Sequence, residues 1–315
     1  MKNVFITGAA GFIGFHLARA LAARGAKVIG YDNYNDYYDP ALKFQRTEIL
    51  EKSGVSIVRG DICDANALQK AVELHGTTHL IHLAAQAGVR YSLTNPQAYV
   101  KANLEGFVNV LEACRKFPKM KLIYASSSSV YGRNTKSPFS LDDRTDMPAS
   151  LYGATKKSNE LMADVYHHLY ALPVIGLRFF TVYGPWGRPD MAYYSFTKAI
   201  LNEEPIDVFN HGKMKRDFTY IDDIVSGVIA AMDLEGKAEI FNLGNHQPVQ
   251  LSEFIATIEK HTGKKAKIRY LPMQAGDVLA THADITASTK KLNFVPKVSL
   301  DEGIANFVDW YKSYN

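Results

Sequence analysis

Short runs of apolar and β-branched residues alternate with longer helical stretches from residue 3 to about residue 180. Six such runs predict strands, namely Asn3–Thr7, Lys27–Asp32, Val55–Gly60, His79–Leu83, Leu122–Ser126 and Val174–Phe179. This rhythm predicts an α/β fold in which right-handed helical crossovers join the strands of a doubly wound parallel sheet. Ligands of such sheets bind at the carboxyl ends of the strands.

Beyond residue 180 the alternation gives way to loops rich in glycine, proline and aromatic residues. Shorter helices are predicted there at Asp222–Leu234, Leu251–Thr262 and Leu300–Tyr311. No repeat or low-complexity linker separates the two parts. We therefore predict a first domain over residues 1–180 and a smaller region over residues 181–315, with a cleft between them. Elements within about residues 216–245 are expected to pack back on the first domain.

Composition excludes several classes of protein. A chain of 315 residues can bury a sizeable core, and its two cysteines show no metal or disulfide spacing. A net charge of +4 without a block of five like charges argues against a nucleic-acid surface. The ten histidines form no cluster with the cysteines that would indicate a metal site, and no apolar stretch reaches membrane-spanning length. We expect a soluble cytoplasmic protein that binds neither nucleic acid, membrane nor metal.

A glycine-rich segment follows the first predicted strand and opens a helix. It comprises Gly8, Gly11, Phe12, Ile13 and Gly14, together with two alanines. Backbone N–H groups and the positive end of the helix can face a pyrophosphate there, provided that no side chain blocks the approach.

Asp32 ends the second predicted strand, 18 residues after Gly14. An acidic side chain at that position accepts hydrogen bonds from the adenosine ribose and repels a 2′-phosphate. The first basic residue after it is Lys43. The pattern therefore predicts NAD as the cofactor.

Further cofactor contacts are predicted where the next strands end. Asp61 and Ile62 can flank the adenine, although Asp61 is equally suited to cap the following helix. The other predicted contacts are Leu83, Ala84, Ala85 and Gln86, which follow the fourth strand, and Asn103, on a helix behind the site. The alternative for a buried Asn103 is bonding to a neighbouring loop.

Tyr152 and Lys156 are spaced to share one face of a helix. A nearby ammonium favours ionisation of a phenol, so we predict that Lys156 lowers the pKa of Tyr152 and makes a tyrosinate available as a base. The spacing alone often arises by chance. It gains meaning from a run of four serines, Ser126 to Ser129, and from the nucleotide-binding pattern upstream.

Four motifs together carry a resemblance over essentially the whole chain. They are Thr7-Gly8-Ala9-Ala10-Gly11-Phe12-Ile13-Gly14, Ser126-Ser127-Ser128-Ser129-Val130-Tyr131-Gly132, Tyr152-x-x-x-Lys156, and Arg216-Asp217-Phe218-Thr219-Tyr220-Ile221-Asp222-Asp223. The chain resembles the extended short-chain dehydrogenase/reductase superfamily and, within it, the nucleotide-sugar epimerases. The segments Arg178–Met191 and Ala87–Ser92 most strongly resemble the UDP-glucuronate 4-epimerases.

The resemblance implies a Rossmann-type fold, bound NAD and a UDP-sugar substrate, UDP-glucuronate or UDP-galacturonate. Tyr152 would take the proton of the sugar 4-hydroxyl while NAD takes the C4 hydride, and both would return after the 4-keto ring turns over. Lys156 would assist the tyrosine and also contact the cofactor. Ser127 would polarise the 4-oxygen, with Ser128 as the alternative.

The residues before Val130 bear on the type of reaction. Sugar dehydratases of the superfamily carry an Asp-Glu pair where this chain has Ser128 and Ser129, so dehydration would lack its proton carriers. Decarboxylases of UDP-glucuronate usually keep a glutamate at the position of Ser129.

Residues expected to bind the substrate come from several segments. Arg188, with Thr181 and the hydroxyls of Ser127–Ser129, would grip the sugar carboxylate, because a guanidinium binds a carboxylate bidentately. The alternative is that Arg188 closes its Gly/Pro loop through backbone carbonyls. For the nucleotide the resemblance implies Arg216 at the diphosphate, Asp277 at the uridine ribose, and Arg90. Gln274 departs from the arginine that many relatives carry there.

Alternative functions remain open at this point. They are a UDP-glucose 4-epimerase, a UDP-glucuronate decarboxylase, and a protein that senses NAD without catalysis. Relatives commonly form homodimers through the helix that carries Tyr152 and one near Val100–Lys116, which we also expect here. Surface-polysaccharide synthesis is the pathway suggested by the resemblance.

Overall fold

Twelve strands and twelve α-helices are described in a computed structural model that covers residues 2–117, 119–235, 238–274 and 276–314. The strands are β1 (Asn3–Thr7), β2 (Lys27–Asp32), β3 (Ser56–Arg59), β4 (His79–His82), β5 (Lys121–Ser127), β6 (Val174–Phe179), β7 (Thr181–Tyr183), β8 (Pro205–Phe209), β9 (Lys215–Tyr220), β10 (Glu239–Leu243), β11 (Pro248–Gln250) and β12 (Lys267–Leu271). The helices are α1 (Phe12–Ala23), α2 (Ala41–Lys52), α3 (Ala65–Leu74), α4 (Tyr91–Thr94), α5 (Pro96–Tyr99), α6 (Gly106–Arg115), α7 (Leu151–Tyr170), α8 (Ala192–Leu201), α9 (Ile221–Asp233), α10 (Leu251–Thr262), α11 (Thr286–Leu292) and α12 (Leu300–Tyr314). A π-helical segment, Val100–Glu105, leads into α6, and short 3₁₀ turns cover Ser128–Tyr131 and Asn210–Gly212.

Seven strands form the central sheet in the order β10-β6-β5-β4-β1-β2-β3, and every neighbouring pair is parallel. The order reverses at β1, which lies between β2 and β4 and pairs Thr7 with both Tyr31 and His82. The prediction of a doubly wound parallel sheet is confirmed. The crevice for ligands therefore opens beyond the carboxyl ends of β1 and β4.

The core covers both faces of this sheet because alternate residues of a strand point to opposite sides. Val4 and Ile6 of β1 pack with Phe15 of α1 on one face, while Phe5 packs with Phe107 of α6 on the other. All five side chains are essentially buried. Each such burial contributes about 1.5–3 kcal/mol relative to exposure.

The second part of the chain contributes to the main sheet as well as to the region above it. Residues 239–243, as β10, pair in parallel with β6 at the edge of the sheet, and α9 packs on α1. Two smaller sheets, β11-β9-β7 and β12-β8, stand beyond the carboxyl ends of the central strands. In the described part of the chain, no helix combines the length and apolarity needed to cross a membrane.

Arg46 of α2 links the first turn of the chain to a loop of the second part. Its side chain is fully buried. Nη1 donates to the carbonyl of Ala10 at 2.9 Å, and Nη2 donates to the carbonyls of Trp186 and Gly187 at 2.6 and 3.3 Å. The loop that carries Arg188 is thereby anchored to the glycine-rich turn.

Candidate active site

The glycine-rich turn brings the start of α1 close to the end of β4. Gly8 has a φ of +74°, and a Cβ there would lie 2.7 Å from the amide nitrogen of Ala84. A Cβ on Gly14 would lie 2.1 Å from the Gly8 carbonyl oxygen. Only glycine fits these two positions, and the resulting cradle of backbone N–H groups at the start of a helix suits the pyrophosphate of a dinucleotide.

A cavity of about 870 Å³ extends from this turn to the two small sheets. It brings together almost every residue predicted from the sequence: Gly8, Gly11, Phe12, Ile13, Gly14, Asp32, Asp61, Ile62, Leu83, Ala84, Ala85, Gln86, Arg90, Ser127, Ser128, Ser129, Tyr152, Lys156, Thr181, Arg188, Arg216 and Asp277. The predicted cofactor and substrate residues therefore share one continuous space.

Asn103 is the exception, because it does not line the cavity. Its Oδ1 accepts from the amide of Gln86 at 2.8 Å, and its Nδ2 donates to the Gln86 carbonyl and the Thr155 hydroxyl, each at 3.0 Å. The side-chain amide is thus committed to the loop after β4. These bonds fit the alternative role of holding that loop, and a direct cofactor contact of Asn103 stays a prediction.

Asp32 is held by main-chain donors at the carboxyl end of β2. Oδ2 accepts from the amide of Ala10 at 3.0 Å and Oδ1 from that of Tyr34 at 2.9 Å. Lys43 also lines the cavity and donates to the carbonyl of Asn35 at 2.6 Å. Burial lowers the pKa of Lys43, while the charge of Asp32 opposes this shift. Lys43 therefore lies near Asp32 in space, although eleven positions separate the two residues in the sequence.

Asp61 follows β3 and does not cap α3, whose N-cap is Asp64. Asp61 lines the cavity, and its Oδ1 accepts from the amide of Cys63 at 2.8 Å while Oδ2 accepts from Asn33 Nδ2 at 3.0 Å. Burial raises the pKa of this carboxyl, but these hydrogen bonds outweigh it and leave the pKa below its ordinary value. Asp61 is therefore held as an anion at the rim of the cavity.

The helix that carries the predicted acid/base pair starts with a defined cap. The hydroxyl of Ser150 accepts from the amide of Gly153 at 3.1 Å, which fixes the first turn of α7. Lys156 is buried and donates from Nζ to the carbonyl of Ala125 at 2.8 Å. Burial lowers the pKa of Lys156 to about 8.

The pKa of Tyr152 is raised, which corrects the prediction that Lys156 would lower it. Removal of the phenol from water is the largest cause, while hydrogen bonding with Ser127 and the positive charge of Arg188 oppose it. The ammonium of Lys156 is directed to a backbone carbonyl instead. The spacing of the two residues along α7 thus does not by itself lower the pKa of Tyr152.

The serine run divides into structural and cavity-facing members. Ser126 is buried and donates to Glu160 Oε1 at 2.7 Å, so it joins β5 to α7. Ser127 ends β5, and its hydroxyl accepts from the amide of Ser129 at 3.2 Å. Hydrogen bonding with this hydroxyl also lowers the pKa of the Tyr152 phenol, against the effect of burial. Of the four serines, Ser127 is thus the one whose hydrogen bonding affects the pKa of Tyr152.

A buried ion pair supports the serine run from below. Arg178 donates from Nε and Nη2 to the two carboxylate oxygens of Glu160 at 2.8 and 2.9 Å, and from Nη1 to the Tyr131 hydroxyl at 2.9 Å. Tyr131 donates in turn to Asn242 Oδ1 at 2.8 Å. This network satisfies both charges and joins β5, β6, β10 and α7 beneath the cavity.

Arg188 meets partners that the sequence did not single out. Nε and Nη2 donate to the two oxygens of Asp190 at 3.0 and 2.5 Å, and the Tyr37 hydroxyl donates to Asp190 Oδ2 at 3.3 Å. Tyr37 and Asp190 also line the cavity. Arg188 is therefore held by a carboxylate of its own loop, rather than by the backbone carbonyls of that loop that the alternative proposed.

The far end of the cavity gathers arginines around one carboxylate. Arg90 Nη2 lies 3.6 Å from Asp277 Oδ2, and the Arg90 guanidinium stands 4.7 Å from the centre of the Phe209 ring. Burial lowers the pKa of Arg216, which the charge of Asp277 opposes. Within the described residues, Asp277 Oδ2 is buried and accepts no hydrogen bond.

Among the residues that the structure describes, no three His, Cys, Asp or Glu side chains are grouped to hold a metal ion.

Comparison with known proteins identifies a family and its members. The model of the NAD dependent epimerase/dehydratase family matches residues 4–244. The chain is 51% identical to UDP-glucuronate 4-epimerase 4 of Arabidopsis thaliana in an alignment that covers 99% of this chain and 76% of that protein.

Solved structures that resemble this chain include 4-epimerases of two different UDP-sugars. The chain is similar to UDP-glucuronic acid 4-epimerase from Bacillus cereus, solved with UDP-glucuronic acid and NAD, with a TM-score of 0.94 and 36% identity over the whole of both chains. It is also similar to UDP-glucose 4-epimerase from Thermotoga maritima, solved with UDP-glucose, with a TM-score of 0.90 and 30% identity over 99% of both chains.

Proposed function

The chain belongs to the NAD dependent epimerase/dehydratase family, and we propose that it is an NAD-dependent epimerase that inverts C4 of UDP-glucuronate to give UDP-galacturonate. The proposal rests on the sequence, which is about 50% identical to UDP-glucuronate 4-epimerases over nearly the whole chain. It also rests on the cavity, which is lined by Ser127, Tyr152, Lys156 and Arg188. NAD accepts the C4 hydride and later returns it to the opposite face.

Tyr152 takes the proton of the 4-hydroxyl and gives it back after the keto ring has turned over. A general base must lie within hydrogen-bond reach of its proton, and Tyr152 lines the cavity between the cofactor and nucleotide ends. Ser127 supports the phenolate by hydrogen bonding. Lys156 adds positive charge to the site below a pH of about 8 and lines the same wall.

Residues next to Tyr152 favour epimerisation over the other reactions of the family. Eliminating water requires an acid and a base, and Ser128 and Ser129 offer only hydroxyls. The same absence of a carboxylate at Ser129 disfavours the decarboxylases of UDP-glucuronate.

Oxidation of UDP-glucuronate at C4 creates a β-keto acid that can lose carbon dioxide. Carbon dioxide is lost rapidly when the bond from C5 to the carboxylate carbon aligns with the π system of the C4 carbonyl. Arg188, with Thr181 and the serine hydroxyls, grips the carboxylate and keeps that bond near the carbonyl plane. Support comes from the cavity that these side chains share and from the match between a guanidinium fork and a carboxylate.

The nucleotide binds at the opposite end of the cavity. Arg216 neutralises the diphosphate, and Asp277 accepts from the uridine ribose, which would give its buried Oδ2 a partner. Arg90 stands beside both residues. Residues 1–180 thus hold mainly NAD and residues 181–315 mainly the UDP-sugar.

The protein acts as a cytoplasmic homodimer in polysaccharide precursor synthesis. The dimer proposal rests on exposed apolar side chains along one side of α7, Leu161, Val165 and Leu169, which are 56, 50 and 60% exposed. Val108 of α6 is exposed as well. Both cysteines are free thiols, as is usual in a reducing compartment.

The neutral-sugar epimerase is the second candidate, favoured by the similarity to the Thermotoga maritima enzyme. Purified protein is incubated separately with UDP-glucuronate and UDP-glucose, and the products are resolved by anion-exchange chromatography. We expect UDP-galacturonate from the first and little or no UDP-galactose from the second. Tyr152→Phe serves as the inactive control. Faster turnover of UDP-glucose would reject UDP-glucuronate as the substrate.

A further inference from the structure

One edge of the Arg188 guanidinium is already occupied by a carboxylate of this chain. Asp190 Oδ1 accepts from Nε at 3.0 Å and Oδ2 from Nη2 at 2.5 Å, a side-on bidentate arrangement. A guanidinium has five N–H donors in a fixed plane. This pairing therefore leaves the Nη1 side of the fork for another carboxylate and fixes the plane in which it points.

Asp190 is itself held from behind. The Tyr37 hydroxyl donates to Oδ2 at 3.3 Å, and the Arg188 guanidinium stands 5.9 Å from the centre of the Tyr37 ring. Gly88 closes the group with a φ of +102°. A Cβ at Gly88 would lie 3.4 Å from the Tyr37 hydroxyl, 3.6 Å from Arg188 Nη2 and 3.9 Å from Asp190 Oδ2. Asp190 thus bonds the guanidinium directly, Tyr37 bonds Asp190, and the lack of a side chain at Gly88 leaves room for all three.

We propose that Asp190 is a positioning residue that aims the guanidinium of Arg188 at the substrate carboxylate and thereby suppresses the loss of carbon dioxide. The inference rests on the proposed function and adds Asp190, backed by Tyr37, to the residues that determine the outcome of the reaction.

Removing the negative charge of Asp190 distinguishes orientation of Arg188 from electrostatic attraction of the anionic substrate. Arg188 and Asp190 together are neutral, so Asp190 weakens the pull of this site on an anionic sugar. If attraction alone mattered, removal of the Asp190 charge would improve the enzyme. If direction matters, the same change leaves binding of UDP-glucuronate intact or tighter while more of the bound keto acid decomposes.

The side reaction starts from the 4-keto acid. The bond between C5 and the carboxylate carbon breaks, its electron pair moves through an enolate to the C4 oxygen, and carbon dioxide leaves. A proton from water then adds at C5 and gives UDP-4-keto-pentose. The hydride taken from C4 stays on the dinucleotide, so each loss of carbon dioxide leaves one reduced cofactor until the ketone is reduced.

The experiment measures the partition between the two outcomes. UDP-glucuronate labelled with ¹³C at C6 is incubated with the NAD-loaded wild-type protein and with Asp190→Asn, Asp190→Glu and Tyr37→Phe. Labelled carbon dioxide is counted by mass spectrometry, UDP-galacturonate by chromatography, and reduced cofactor by its fluorescence. Asp146→Asn is the matched control, because Asp146 forms an exposed pair with Arg144 and does not line the cavity.

We expect carbon dioxide per UDP-galacturonate to rise about tenfold in Asp190→Asn, because one charge-assisted hydrogen bond is lost. Tyr37→Phe raises it about threefold, and Asp190→Glu, which keeps a carboxylate, recovers part of the wild-type ratio. The KM for UDP-glucuronate does not increase in Asp190→Asn, whereas a merely structural defect would raise it.

Two results would overturn the inference. One is a wild-type carbon dioxide ratio in Asp190→Asn. The other, should Asp190→Asn fail to fold or to retain NAD, is a wild-type ratio in Tyr37→Phe. A wild-type protein that does not epimerise UDP-glucuronate would instead reject the proposed function.

Discussion

Lys156 donates a 2.8 Å hydrogen bond from its ammonium group to the main-chain carbonyl of Ala125, in the strand that leads into the serine run. The side chain is buried, and burial lowers its pKa from 10.5 to about 8. Between these values the unfolded chain binds a proton that the folded protein does not. The free energy of unfolding therefore increases as the pH rises from 8 to 10.5, because the folded protein no longer buries a charged lysine. Below pH 8 Lys156 is charged in both states, and the full cost of burying its charge lowers the stability.

Replacement of this lysine should remove that pH dependence. Relative to Lys156→Met, we expect the free energy of unfolding of the wild-type protein to increase by roughly 3 kcal/mol between pH 8 and pH 10.5. Urea unfolding at four pH values across this window measures the difference. Lys70→Met, at an exposed lysine of α3, controls for loss of a surface charge. Parallel curves for wild type and Lys156→Met would contradict the assignment.

Glu160 should show the opposite pH dependence. Burial raises the pKa of its carboxyl, but the bonds from Arg178 and Ser126 outweigh burial and leave the pKa below its ordinary value. Its stabilisation is present above about pH 4.3 and is lost as the pH falls through the folded-state pKa. Glu160→Gln, which leaves the Arg178 charge buried, should cost about 3 kcal/mol at neutral pH.

The measurement is denaturant unfolding of both proteins at pH 7, 5 and 3.5, and the difference should narrow at the lowest pH. Glu203→Gln provides the control, since its pair with Lys264 lies on the surface. A difference that stays constant with pH would mean that Glu160 contributes by packing alone.

Ser127 should tune the tyrosine rather than only end its strand. Hydrogen bonding with Ser127 opposes the rise in the pKa of Tyr152 that burial causes. Ser127→Ala should therefore lower turnover about tenfold or more and move the rising limb of the pH–rate profile to higher pH. Ser127→Thr keeps the hydroxyl and should retain the wild-type profile. An unchanged profile in Ser127→Ala would transfer the role to Ser128.

Arg188 should decide what becomes of the keto acid. Arg188→Ala removes the fork that holds the sugar carboxylate, so UDP-glucuronate should yield carbon dioxide and a UDP-pentose beside UDP-galacturonate. The partition should shift by more than about tenfold, because the change removes both charge-assisted hydrogen bonds of the fork. Arg188→Lys tests whether a point charge without a fork suffices. Lost binding without any change in partition would leave Arg188 a binding residue only.

The apolar side of α7 should govern self-association. Val165→Asp places a charge in the middle of the exposed row formed with Leu161 and Leu169 and should convert a dimer to a monomer in sedimentation velocity. Leu74→Asp is matched to it, because Leu74 is 81% exposed on α3. A monomeric wild-type protein would reject this interface.

Local patterns predicted much of the fold. Strands β1, β2 and β6 match their predicted bounds, and the others differ by a few residues at their ends. Such patterns succeed because buried parallel strands read as continuous apolar runs and the glycine turn has strict steric requirements. The residues of the cavity follow from these positions, since the carboxyl ends of parallel strands meet at one edge.

Tertiary properties were harder to predict. The direction of the Tyr152 pKa shift depends on how fully the phenol is removed from water, which spacing along a helix does not reveal. Asn103 faces a loop rather than the cavity because Gln86 and Thr155 surround its amide. Asp190 stands two residues after Arg188, yet nothing in the sequence shows that its carboxylate turns back onto that guanidinium.

Arg46 carries a consequence for the order of assembly. Its guanidinium bonds to Ala10 near the start of the chain and to the carbonyls of Trp186 and Gly187, which emerge much later during synthesis. Those carbonyls gain their donors only after the first strand, its turn and α2 have come together. The amide of Arg188, which follows these carbonyls, donates to the Tyr193 hydroxyl. During refolding we therefore expect protection of this amide to appear later than protection of the amides of β1 and α1.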